Sequence, residues 1–143
     1  MSVEVSNVGP KEIWKNFVLL NEVPRPSKKE EKVIDFLKLF ASKNNLEFRQ
    51  DEIGNLVITK ESTEGMSNRE TVVLQSHVDM VHEKNNDVDF DFLNSGIKMY
   101  VDGDWIKADG TTLGADNGLG VAAIMAELSS NTIEHPTIEA LFT

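Results

Sequence analysis

The chain has 143 residues, 24 acidic against 14 basic side chains, a net charge of −10, no cysteine and 40% hydrophobic residues. That length and balance describe one globular domain, or part of one, and the negative surplus repels phosphate backbones and anionic lipid. Without thiols neither a disulfide nor a thiolate metal site is available, so any metal must be held by histidine and carboxylate. No apolar run reaches membrane-spanning length, and the first residues, with Glu4, Asn7 and Pro10, lack a secretory core. The expectation is a cytoplasmic protein with no nucleic-acid and no membrane partner.

Residues 11–20 read as a short helix, which Pro24 and Pro26 interrupt by forcing extended geometry on their neighbours. Ser27 followed by Glu30 reads as a capping box for a second helix, whose Val33, Phe36, Leu37 and Phe40 form a stripe for the core and which ends near Asn44 and Asn45. Residues 46–50 and 56–60 read as strands joined across Gly54 and Asn55, and a polar loop follows at 61–70.

Residues 71–74, extended to Ser76, are β-branched and aliphatic without alternation, which predicts a central strand buried on both faces of a parallel sheet. Asp102-Gly103, inside "KMYVDGDWIK", predicts a tight hairpin. From Asn117 the pattern turns helical, with Leu119, Ala122, Ala123 and Ala126 small enough for close packing, and ends across 129–132. The final "TIEALFT" alternates like a strand. Because the chain stops inside that element, it is expected to be the front part of a longer protein. The expected fold class is α/β, with a mixed, mostly parallel sheet flanked by helices and a β-hairpin insertion.

Side chains two apart on a strand share a face, so His77 and Asp79 would project together at the carboxyl end of the third strand, where open α/β sheets bind ligands. Alone, such a pair is more often a surface histidine held by an aspartate. A second cluster alters the balance: Asp116 sits in a turn with Gly110, Gly114, Gly118 and Gly120, ahead of a small-residue helix. The turn has neither the spacing of a dinucleotide fingerprint nor the lysine and hydroxyl pair of a phosphate loop. Imidazole and carboxylate are ordinary zinc ligands, a metal-bound histidine usually has its other nitrogen fixed by a carboxylate, and one aspartate can bridge two ions. His82 reads as lining solvent or supporting a ligand rather than ligating, His135 beside Pro136 reads as loop, and Trp14 and Trp105 read as packing anchors. "DVDFDF" lacks the central glycine and terminal glutamate of a calcium loop.

"SHVDMV" followed by "GTTLGADNGLGVAAI" and a strand ending "ALFT" resembles the M20 family of metallopeptidases, and within it the cytosolic dipeptidases. "PRPS", "DEIGNLVI" and "DGDWIKADGTTLGADNG" extend the likeness over nearly the whole chain. The resemblance implies that His77 ligates one zinc, that Asp79 clamps and polarises its imidazole, that Asp116 bridges two zincs, and that the Asp116–Asn117 peptide is cis. It also implies a glutamate pair shortly after the last strand, one member the general base and the other a ligand, then a later aspartate, a late histidine and an inserted lid domain with dimer and substrate contacts. None of these falls within the 143 residues, which would be the N-terminal portion of the catalytic domain.

The implied activity of the full-length protein is hydrolysis of small peptides, Xaa-His or broader dipeptides, by zinc-activated water, with manganese or cobalt as alternative ions and a homo-oligomeric assembly. This portion alone would be inactive. Carboxypeptidase, deacetylase or acylase chemistry, or a non-enzymatic paralogue that only binds a partner, are the alternatives.

Overall fold

The computed structural model describes residues 3–143. Its elements in chain order are α1 (Val3–Ser6), α2 (Lys11–Asn21), α3 (Glu31–Lys43), β1 (Glu47–Gln50), β2 (Leu56–Lys60), β3 (Val72–Ser76), β4 (Met99–Asp102), β5 (Trp105–Ala108), α4 (Ala115–Ser129) and β6 (Ile138–Phe142). The mixed α/β character expected from the sequence is present, and every helix and strand predicted has a counterpart.

Four strands form one sheet in the order β1-β2-β6-β3. Among the described residues only β3 and β6 run parallel, and the β1–β2 and β2–β6 pairs are antiparallel, so the sheet is mixed without a parallel majority. The β1–β2 turn is tied by Asp51, whose Oδ1 accepts the backbone N–H groups of Ile53, Gly54 and Asn55. Gly54 supplies the φ of 111° that this turn needs.

Register decides which face is buried. Leu56 lies opposite Phe142, and Ile58 opposite Ala140, which in turn lies beside Leu74. These residues join Val33, Ile34, Leu37 and Ala41 of α3 and Val121, Ile124, Met125 and Leu128 of α4 in one core. Each large side chain buried there contributes about 1.5–3 kcal/mol. Both helices therefore cover the same face of the sheet. In the predicted α3 stripe Val33 and Leu37 are fully buried, while Phe36 and Phe40 pack at its margin. A second cluster, with Val5, Phe17, Val18, Met99 and Ala122 at its centre, joins α1, α2, α4 and the separate β4–β5 hairpin.

Three expectations are corrected. β3 is an edge strand rather than a central one, with Val72 and Val73 42% and 58% exposed, and the interior positions belong to β2 and β6. An unalternating aliphatic run suits a strand covered on both faces, and among the described residues β3 has no cover on its outer edge or on the face bearing Val73. Ser27 is not a helix cap: α3 starts after Glu30 without a side-chain cap, and the left-handed Lys28 (φ 70°) separates Ser27 from it. Trp105 is 71% exposed on the two-stranded hairpin and anchors nothing, whereas Trp14 meets Phe17 edge-on at 5.8 Å.

Candidate metal centre

The segment leaving β3 stays extended because it is held on both sides. The Val78 N–H donates to the Thr143 carbonyl and the Thr143 N–H to that of Ser76, which continues the pairing with β6. The Met80 N–H donates to the Arg25 carbonyl and the Ser27 N–H to that of Met80, which docks the Pro-rich segment on the other side. Extended geometry buries Val78 and Met80 and turns His77 and Asp79 together to the opposite face.

Asp116 comes from a different device. Gly114 adopts φ 72°, and helical geometry is broken at Asp116 and Asn117, where the connecting peptide is cis, as the resemblance implies. The kink lifts the Asp116 side chain out of the helix, leaving it 96% exposed.

The two segments meet at His77. Its Nδ1 lies 2.9 Å from Asp79 Oδ1 and its Nε2 lies 3.0 Å from Asp116 Oδ1. Ser27 Oγ donates to the other Asp79 oxygen and to the Met80 carbonyl, the latter at 3.2 Å. Burial would lower the His77 pKa, but hydrogen bonds to Asp116 and Asp79 outweigh it and raise the value. Burial would raise that of Asp79, but the hydrogen bonds from Ser27 and His77 prevail and lower it.

Beneath the pair lies a residue that hydropathy hides. Arg25 is 1% exposed, and its guanidinium donates to the Val78 carbonyl at 3.2 Å, to Asn21 Oδ1 at 2.6 Å and to the Gly114 carbonyl at 2.9 Å. One side chain thus ties the segment that carries His77 and Asp79 to the turn that carries Asp116. Burial pulls its pKa down to about 10, against the opposing influence of the Asp79 charge. Gly114 and Gly118 leave room for it, since a Cβ at either would come within 2.6 Å of Nη2.

His77, Asp79 and Asp116 therefore stand together as expected, and His82 and His135 stand apart. His82 meets the Phe92 ring at 5.7 Å, and buried His135 directs Nδ1 at the Pro136 carbonyl. Among the described residues no group of three or more His, Asp and Glu is arranged to hold a metal ion. Asp79 spends one oxygen on His77, so the two groups that could take an ion between them, in place of their present hydrogen bond, are His77 Nε2 and the Asp116 carboxylate. The donor set has the chemistry of part of a metal shell, an imidazole braced by a carboxylate and facing a second, solvent-open carboxylate.

No family model matches the chain. It is 42% identical over 140 residues to the cytosol non-specific dipeptidase of Escherichia coli (strain K12), which covers 98% of this chain and 29% of that protein. Aminoacylhistidine dipeptidase from Vibrio alginolyticus superposes with a TM-score of 0.95 at 44% identity, over 97% of this chain and 28% of the other. A tripeptidase from Staphylococcus aureus superposes with a TM-score of 0.74 at 25% identity, over 95% of this chain and 36% of the other. The chain therefore spans less than a third of the length of the two dipeptidases, and these three relatives are named as peptidases, in line with the sequence motifs.

Proposed function

We propose that this chain is the N-terminal portion of the catalytic domain of a di-zinc dipeptidase of the M20 family, working in the cytoplasm on small peptides. The observation that carries the reading is His77, braced on Nδ1 by Asp79 and directed through Nε2 at Asp116, at the carboxyl end of β3. Identity above 40% to two dipeptidases, one of them named for the cytosol, supports the reaction class and the compartment.

In this reading His77 and Asp116 hold metal, zinc first and manganese or cobalt as substitutes, and Asp79 fixes the imidazole orientation. A bound pair of ions supplies Lewis acidity that activates water and polarises a peptide carbonyl. The chain's own contribution is positional. Asp79 keeps the His77 ring from rotating, and Arg25 keeps the distance between the two donors. The solvent-open face of Asp116 leaves room for ion and substrate. The general base, the remaining ligands and a lid with dimer contacts belong to the rest of the protein. The end of β6 runs beside His77, which suits delivery of further groups to the same place.

The test uses the full-length protein. His77→Ala should lose about one zinc per chain by elemental analysis and abolish dipeptide hydrolysis. Asp79→Ala should retain more metal and still lose most activity, because it acts on the ligand rather than the ion. Equal zinc content and rate in His77→Ala and the parent would reject the assignment. Residues 1–143 alone should turn over no dipeptide with added zinc or manganese, because two donors and no general base do not make a hydrolytic site.

A further inference from the structure

We propose that Ser27 is a positioning residue of this site, fixing the plane of the Asp79 carboxylate and through it the His77 ring. The proposal rests on the metal-site reading only for its purpose, since the contacts stand without it.

Ser27 lies 52 residues from Asp79 in sequence, and its hydroxyl donates to Oδ2 while Oδ1 is engaged by His77 Nδ1. The carboxylate is thereby gripped at both oxygens, which blocks rotation about its Cβ–Cγ bond. One oxygen alone would leave that rotation open, and the imidazole would turn with it. The hydroxyl is not needed to dock its own segment. Backbone bonds from Ser27 to Met80 (3.1 Å) and from Met80 to Arg25 (3.0 Å), with the Pro26–Met80 bridge, already hold it there. Nor does the hydroxyl start α3, whose first turn lies beyond the left-handed Lys28. Its single proton has two acceptors in reach, the Asp79 carboxylate and the Met80 carbonyl at 3.2 Å, and the charged carboxylate is the stronger. Asp79 is partly open, its side chain 31% exposed, so the serine acts where water would otherwise bond loosely.

The test uses the full-length protein labelled with ¹⁵N at histidine. In the parent the Nδ1 proton of His77 should be downfield and slow to exchange. Ser27→Ala should speed that exchange about tenfold while leaving the thermal unfolding midpoint near that of the parent, and Ser27→Thr should restore the slow proton. Unchanged exchange in Ser27→Ala, or an unprotected proton in the parent, overturns the proposal. A parallel Co²⁺ titration keeps the two ideas apart. If His77→Ala binds Co²⁺ as the parent does, the metal reading fails while the proton result still decides the role of Ser27. If His77→Ala loses Co²⁺, Ser27→Ala should weaken binding about three- to tenfold, below the 10–100-fold typical of direct ligand partners.

Discussion

Arg25 shows how far a single side chain can set the geometry of a site it does not enter. Arg25→Met would leave Asn21 Oδ1 and the Val78 carbonyl without a donor in a buried place, while the Gly114 carbonyl would keep the Gly118 N–H. At about 1–3 kcal/mol for each of the two groups left unsatisfied, urea denaturation should show a loss of about 2 kcal/mol or more. Arg25→Lys should recover little of it, because one ammonium cannot reproduce a planar fork aimed at three acceptors. The site pair also predicts a pH dependence for the metal-free chain. With its folded pKa raised, His77 adds stability that is complete below its unfolded value of about 6.5 and is lost as pH rises through the folded value. With its folded pKa lowered, Asp79 adds stability present above about 3.9 and lost as pH falls through the folded value. The parent's Tm advantage over His77→Gln should therefore be greatest near pH 5 and shrink toward pH 8. His77 and Asp79 were legible in the sequence because strand periodicity alone puts them on one face. Arg25 was not, since an arginine between prolines reads as solvated and the carbonyls that hold it come from distant segments. Ser27 misled because its spacing to Glu30 matches a capping box, while the acceptor it prefers is far along the chain.

At the scale of elements, α4 shows local rules giving way to a site. Alanine favours helix over glycine by about 1 kcal/mol, so Gly120→Ala ought to stabilise an ordinary helix. Here a Cβ would press on Asn117 Oδ1 and Ser76 Oγ, where the helix crosses the end of β3, and the substitution should destabilise instead. Gly114→Ala should cost about 2 kcal/mol or more, combining the left-handed conformation at φ 72° with contact against Arg25 and the Met80 sulfur. Urea midpoints of the two variants check both signs. The helices and the hairpin were readable because their periods and turn residues are local. The place of β3 in the sheet was not, because a strand's sequence reports the surroundings it suits, whereas its neighbours are chosen by pairing across the whole chain.

For the whole molecule, the open edge matters most in solution. β3 presents unpaired backbone groups and exposed Val72 and Val73 along a side that no described element covers. Such edges recruit further strands, so the 143-residue chain should self-associate in sedimentation velocity as concentration rises. Val73→Lys should shift it toward monomer without changing the fold, as a charge on an edge opposes strand addition.

The strand order also has a bearing on synthesis. β6 follows the other described strands in the chain, yet it sits between β2 and β3 and pairs with both. A ribosome emitting this chain releases β1 and β2 as a hairpin, then β3, the second hairpin and α4, while the slot between β2 and β3 stays empty. Until β6 emerges, Leu56 and Ile58 lack their partners Phe142 and Ala140, and the segment carrying His77 is held from the Arg25 side alone. The strand that frames His77 is thus completed by the closing of a sheet from its middle.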